Sequence, residues 1–299
     1  MSPEVPVSTA PRVRAGFIGL GSQGGPMARR IIDAGFPVTL WARRPATLEP
    51  FAGAHAAVAG SPAELAAESD IVCLCVTGDA DVEAVTGGPD GVLAGLKPGG
   101  VIAVHSTVHP DTCKRLAARA AVSGVRVLDA PVSGGSPAAE AGRLLVMVGG
   151  EDDTVQYCRP VFETFGDPVV HLGPLGSGQL AKLLNNAAFT AHLGVAASLL
   201  ALGKVLDVDP VRLAEVVLHG SGRSFALDRV ASAGGTLDRI AGHAGHLLDK
   251  DVRLAIELVN AADASTANGA TAASGTLLAA ASDALAVMRP VTQPTRNTA

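Results

Sequence analysis

The chain predicts an α/β fold: a doubly wound, mostly parallel sheet followed by an all-helical second domain. Three observations predict it. Short β-branched runs alternate with helical patterns through the first half, the signature of strands joined by crossover helices. A glycine-rich turn links the first of those runs to the first helix. Beyond Gly173-Pro-Leu-Gly-Ser-Gly178 the strand pattern stops and long apolar helical patterns replace it.

The β-branched runs place strands at 15–19, 38–41, 71–76, 101–105, 125–129, 144–148 and 169–172. Helical patterns lie between them, as at 26–32, 62–68 and 110–121. On such a sheet ligands bind outside the carboxyl ends of the strands. Gly19, Val76, Thr107 and Pro131 each fall just past a strand end, so they are expected along one edge. The second half reads as one long apolar helix over 179–206, with further helices at 210–218, 226–231, 249–262 and 276–288. The small-residue stretch 263–275 reads as a loop or a weak helix. Residues 1–12 are expected to be a flexible leader and 290–299 a disordered tail. The two domains are then 13–175 and 176–289.

A chain of 299 residues has room for two such domains, and 48% hydrophobic with 17% charged residues is an ordinary globular balance. A net charge of −5 gives no reason to expect nucleic acid or an anionic membrane as partner. The four cysteines, Cys73, Cys75, Cys113 and Cys158, show no metal-ligand or Cys-x-x-Cys spacing, which points to a reducing, cytoplasmic setting. The first eleven residues lack the basic and apolar regions of a secretory signal. The longest apolar run, 187–202, is short for a membrane span and contains His192 and Gly194, so it reads as a buried helix. A helix apolar on nearly all sides is covered by its own domain or by another subunit, which predicts a homo-oligomer.

The turn Gly19-Leu20-Gly21-Ser22-Gln23-Gly24 has G-x-G-x-x-G spacing between a strand and a helix, and a second strand follows. That context makes it a pyrophosphate site of a dinucleotide. Gly19 permits the turn, Gly21 lets a phosphate approach the backbone, and Gly24 lets helix and strand pack closely. The second strand ends in Trp41-Ala-Arg-Arg44 rather than in the carboxylate that would bind the ribose hydroxyls of NAD. Arg43 can instead pair with a 2′-phosphate, so NADP(H) is the expected cofactor, with NAD(H) as a second possibility.

Three further segments carry chemistry. Asp129-Ala-Pro-Val-Ser-Gly-Gly135 can offer the Ser133 hydroxyl and the Gly134 and Gly135 amides to a carboxylate. In Gly176-Ser-Gly-Gln-Leu-Ala-Lys-Leu-Leu-Asn-Asn186, Lys182 and Asn186 share a helical face among apolar neighbours. A desolvated lysine has a lowered pKa and suits proton transfer. At Asp249-Lys-Asp251 the first residue is a candidate helix cap, Lys250 can reach cofactor or substrate, and Asp251 can pair with a nearby base. His243 and His246 lie in a glycine-rich stretch without acidic ligands and read as loop residues, so no metal is expected.

These four segments, in this order, resemble the β-hydroxyacid dehydrogenase family, which includes 3-hydroxyisobutyrate dehydrogenases and the tartronate semialdehyde and glyoxylate/succinic semialdehyde reductases. The likeness runs from Gly16 to about Ala262. It implies a Rossmann domain followed by a helical domain that helps form a homodimer or homotetramer. It implies that Val76 and Thr77 line the dinucleotide and that Ser106 and Thr107 sit near the nicotinamide. Lys182 stands at the position of the family's catalytic lysine, Asn186 at that of its supporting asparagine, and Lys250-Asp251 at its C-terminal Lys-Asp pair, with Lys250 toward the cofactor. Arg223, within Ser221-Gly-Arg-Ser-Phe225, falls where substrate-selective residues lie. Two positions depart from the family: Val104 replaces a frequent aspartate, and Ala42 a common asparagine.

The expected activity is hydride transfer between the nicotinamide and a small carboxylate-bearing β-hydroxyacid or semialdehyde, with Lys182 as general acid and base. The alternatives are an imine reductase of the same architecture, which usually lacks this lysine, and a non-catalytic NADP-binding sensor.

Overall fold

The computed structural model describes residues 13–265 and 271–289. The expected leader and tail, and much of 263–275, lie outside the described residues or their described side chains. The chain divides into two compact units, Met1–Lys182 and Leu183–Ala299.

In the first unit the strands β1 (Ala15–Ile18), β2 (Val38–Trp41), β3 (Ala56–Val58), β4 (Ile71–Leu74), β5 (Val101–Val104) and β6 (Arg126–Asp129) run parallel in the order 3-2-1-4-5-6. This is the doubly wound order whose crevice accepts dinucleotides. The strands β7 (Val132–Ser133), β8 (Leu144–Gly149) and β9 (Gly166–Gly173) extend it. Of these, β8 pairs antiparallel with β6 and β7, and β9 pairs parallel with β8.

The central strands β1, β4, β5 and β6 alternate between two cores, because successive side chains point to opposite faces. Phe17, Cys73 and Ala103 join a cluster with Met27 and Ile31 of α1 (Gly24–Asp33) and with Val161 and Phe162 of α7 (Asp152–Phe162). Ile18, Leu74 and Val104 join the opposite cluster. Its cover is α2 (Pro62–Ala67), α3 (Asp79–Thr86), α4 (Val92–Gly95) and α5 (Pro110–Ala121). The short helix α6 (Gly135–Glu140) packs beside α1. A sheet covered on both faces explains why the strands read as continuous apolar runs.

Helix starts follow local chemistry. The Ser61 hydroxyl accepts the Glu64 amide at 3.1 Å and Glu64 reaches back to the Gly60 amide at 2.8 Å, a capping box with Pro62 at the first helical position. Pro110 and Pro210 open their helices in the same way, capped by His109 and Asp209.

The regular elements of the second half are all helices among the described residues. They are α8 (Ser177–Val205), α9 (Pro210–His219), α10 (Phe225–Ser232), α11 (Asp238–Ser265) and α12 (Thr271–Met288). Leu193, Leu200, Leu227, Leu248 and Leu285 anchor its core. Among the described residues α8 alone is long and apolar enough to cross a membrane by length and composition. Its Ala191, Leu193, Ala196 and Leu200 are instead core residues of this helical unit.

Two short strands escape sequence reading: β3 has three residues and β7 two, too few to show a period. The helix expected from residue 249 begins at Asp238. Gly242 and Gly245 lower the propensity of that stretch. Packing overrides them, because Ile240, Ala241, Ala244 and Leu248 recur on one helical face and join the core. Asp249 is therefore mid-helix and not a cap, and His243 and His246 are helical rather than in a loop.

Candidate active site

Two glycines of the turn have no room for a side chain. Gly19 has φ +99°, and a Cβ there would lie 2.2 Å from the Cys75 carbonyl oxygen. A Cβ on Gly24 would lie 1.9 Å from the Gly19 carbonyl oxygen, so only glycine allows α1 to start this close to β1. Gly21 faces open space and can be approached by a ligand. No side chain caps α1 at Gln23. Leu20 is buried in the core, so it can offer a ligand its backbone alone, while Ser22 is exposed. These residues fit a dinucleotide pyrophosphate.

Arg43 follows β2. Its side chain is 79% exposed and its Nη1 lies 3.4 Å from Asp81 Oδ1, at the start of α3. The guanidinium borders an open groove of about 340 Å³, also lined by Trp41, Pro62, Val85 and Asp90. Ala42 packs against the core cluster and leaves the outward position to Arg43.

The loops after β4 and β5 are tied together. The Val76 amide donates to Ser106 Oγ at 2.8 Å. Ser106 is buried and Thr107 partly exposed, so only Thr107 of that pair presents surface. Thr77 is exposed and Val76 partly so. Val104 is wholly buried in β5.

Ser133 ends β7, and Gly134 and Gly135 follow with φ +133° and +73°. The next residue joins this segment to the glycine turn: Ser136 Oγ donates to the Ser22 carbonyl at 2.7 Å. Ser136 was not singled out in the sequence, where it is one small polar residue in a turn.

Asp129, read there only as a strand end, is wholly buried at the end of β6. It accepts the Gly176 amide at 2.6 Å and the Gln179 amide at 2.7 Å, and burial pushes its carboxyl above the usual carboxylate range against the pull of those amides. Gln179 is also wholly buried; its Nε2 donates to the Ser106 carbonyl at 2.8 Å and its Oε1 accepts the Val108 amide at 3.1 Å. Lys182 follows one turn later on α8 and is 9% exposed. The signal that could have found both residues was available: a carboxylate closing an apolar strand, and a carboxamide on an apolar helix.

Within the helical unit, Asn186 Nδ2 donates to Asp251 Oδ2 at 2.6 Å, and Lys250 Nζ lies 3.1 Å from Asp251 Oδ1. Asp251 thus holds Asn186 and Lys250 together. Arg223 is exposed in the turn before α10, and its amide donates to the Gly220 carbonyl at 3.3 Å. Neighbouring Phe225 is exposed and packs on Phe189 with ring centroids 5.8 Å apart. Among the described residues no three His, Cys, Asp or Glu side chains stand together as a metal site would need. The four cysteines are unpaired, and burial pushes the Cys75 and Cys158 thiols up to about 12.

Comparison with known proteins gives this geometry its family. Residues 14–173 match the family model described as the NAD binding domain of 6-phosphogluconate dehydrogenase. Residues 176–289 match that of the NAD-binding domain of NADP-dependent 3-hydroxyisobutyrate dehydrogenase. The chain belongs to the β-hydroxyacid dehydrogenase family. Like its relatives, this β-hydroxyacid dehydrogenase is an NAD(P)-binding oxidoreductase that acts on CH–OH groups. It is 33% identical to an NAD-dependent L-serine dehydrogenase of Pseudomonas aeruginosa, over 86% of this chain and 89% of the relative. A 3-hydroxyisobutyrate dehydrogenase from Mycobacterium tuberculosis, solved with L-serine, is 28% identical with a TM-score of 0.76, covering 92% of this chain and 93% of the other. An imine reductase from Myxococcus stipitatus, solved with NADP+, is 18% identical with a TM-score of 0.60 over 68% and 70% of the two chains, and shares the fold alone.

Proposed function

We propose that this dehydrogenase interconverts a small β-hydroxyacid and its semialdehyde or keto partner, with NADP(H) as preferred cofactor and Lys182 as the general acid and base. The observation that carries the reading is a buried lysine on a helix whose first turn is bonded to the ends of the cofactor-binding strands. A hydride donor and acceptor is what the nicotinamide supplies when bound; the protein supplies position and the proton.

In this reading the Gly19–Gly24 turn and the start of α1 hold the pyrophosphate, Arg43 the 2′-phosphate, and Val76, Thr77 and Thr107 the remainder of the cofactor. Ser133 and the Gly134 and Gly135 amides hold the substrate carboxylate. Lys182 gives its proton to the carbonyl oxygen in reduction and takes the hydroxyl proton in oxidation. Support comes from the burial of Lys182, which is 9% exposed near the start of α8. Asn186, bonded to Asp251, supports the lysine from the next turn of α8.

The test is a panel: NADPH oxidation with semialdehydes and glyoxylate, and NADP reduction with hydroxyacids that include serine and 3-hydroxyisobutyrate. Turnover of at least one pair in both directions is expected. Tight NADPH binding with turnover of none contradicts the reading and leaves a cofactor-binding sensor; turnover of cyclic imines in preference to carbonyls makes it an imine reductase.

A further inference from the structure

Gln179 has both ends of its carboxamide committed to the backbone of one short loop. Its Nε2 donates to the carbonyl of Ser106 at 2.8 Å and its Oε1 accepts the amide of Val108 at 3.1 Å, so the side chain brackets Thr107. Its own amide is held by Asp129 Oδ2 at 2.7 Å. At the preceding residue, a Cβ on Gly178 would lie 2.3 Å from the Met147 carbonyl oxygen and 2.8 Å from Asp129 Oδ2. The first turn of α8 is thus seated on β6, on β8 and on the loop after β5.

These contacts permit one register. A slip of α8 by a single residue displaces it about 1.5 Å along its axis, which breaks both carboxamide bonds. Val76, in the loop after β4, is bonded to the same loop through Ser106 Oγ at 2.8 Å. Lys182 lies three residues after Gln179 and moves with it, because positions three apart on a helix share a face. The buried carboxamide is a costly way to fill that space, since each of its polar groups must be satisfied there.

We propose that Gln179 is a positioning residue: it locks Lys182 in register with the Thr107 loop, and so aligns the proton donor with the place where the hydride arrives. The proposal rests on the proton-relay reading of Lys182 given above. Misplacing a reacting group by about 1 Å costs on the order of 10²-fold in rate, which makes such a lock worth a buried polar side chain.

The test compares the native protein with Gln179→Leu and Gln179→Glu, with Lys182→Ala as reference. In the cofactor-free Gln179→Leu protein, the Val108 amide should exchange faster with solvent, having lost its acceptor. NADPH affinity by calorimetry should fall by less than kcat does, because the glycine turn and Arg43 are untouched. The kcat should fall by roughly 10- to 100-fold, and the primary deuterium isotope effect with NADPH deuterated at the transferring position should rise. Gln179→Glu keeps the acceptor for Val108 and should lie between. A folded Gln179→Leu with native kcat and native isotope effect overturns the proposal, as does a loss traced wholly to weaker NADPH binding. If Gln179→Leu does not fold, Gln179→Glu decides by the same two kinetic readouts. Near-native turnover in Lys182→Ala would instead defeat the proton-relay reading. An inactive Lys182→Ala beside a native-like Gln179→Leu defeats the positioning role alone.

Discussion

Arg43 carries the proposed preference for NADP(H). It is exposed, it borders an open groove, and its nearest charged partner is Asp81 at 3.4 Å. An exposed pair of this kind contributes little to stability, so the guanidinium is available for a phosphate. Arg43→Ala should therefore leave the fold intact and lower the ratio of kcat/KM for NADP over NAD by about 10- to 100-fold, the scale of one charge-assisted hydrogen bond. An unchanged ratio would remove Arg43 from the phosphate site. His105 carries a second residue-scale prediction. Burial among Phe17, Phe162 and Phe165 lowers its pKa to about 4, against a smaller raising effect of its hydrogen bond to the Ala130 carbonyl. An unfolded histidine titrates near pH ~6.5. Between those values the unfolded chain binds a proton that the folded chain refuses. The stability from this group is thus complete above pH ~6.5 and is lost as pH falls toward ~4, by roughly 3 kcal/mol in all. Asp129, whose carboxyl is raised by burial, acts in the opposite sense, its ionisation weighing against the folded state as pH rises. Urea unfolding from pH ~7 to ~5 should show the acid loss in the native protein and a smaller one in His105→Phe; equal slopes would contradict it.

At the scale of the element, the glycine turn makes a separable pair of predictions. Gly24→Ala drives a methyl into the Gly19 carbonyl and should lower both Tm and NADPH affinity. Gly21→Ala adds its methyl in open space and should weaken NADPH binding with little change in Tm. Calorimetry on both variants checks the split; a Gly21→Ala protein with native affinity would mean that no ligand comes close there. This turn was legible in the sequence because strand, glycine spacing and helix occur together. The same is true of the parallel strands, whose apolar runs follow from burial on both faces. The start of α11 was not legible, since Gly242 and Gly245 argue locally against a helix that core packing by Ile240 and Leu248 enforces. Asp129, Gln179 and Ser136 were passed over for a related reason. Their roles depend on partners that are distant in sequence, such as Gly176 for Asp129, Ser106 for Gln179 and Ser22 for Ser136.

For the whole molecule, α8 poses the remaining question of covering. Leu180, Leu184, Val195 and Leu202 are exposed and fall on one stripe of that helix. An apolar stripe of this length is the kind of surface that a second subunit covers. Light scattering in solution should give the mass of a homodimer or homotetramer, and a monomer at micromolar concentration would contradict this. The central claim, however, is that this β-hydroxyacid dehydrogenase moves its proton through Lys182. The most direct measurement is kcat of Lys182→Ala on the best substrate pair, with NADPH affinity measured alongside. With Lys182 as the proton carrier, kcat should fall by roughly two to four decades while NADPH binding stays native, the usual scale for loss of a general acid and base. Near-native turnover in that variant would contradict it.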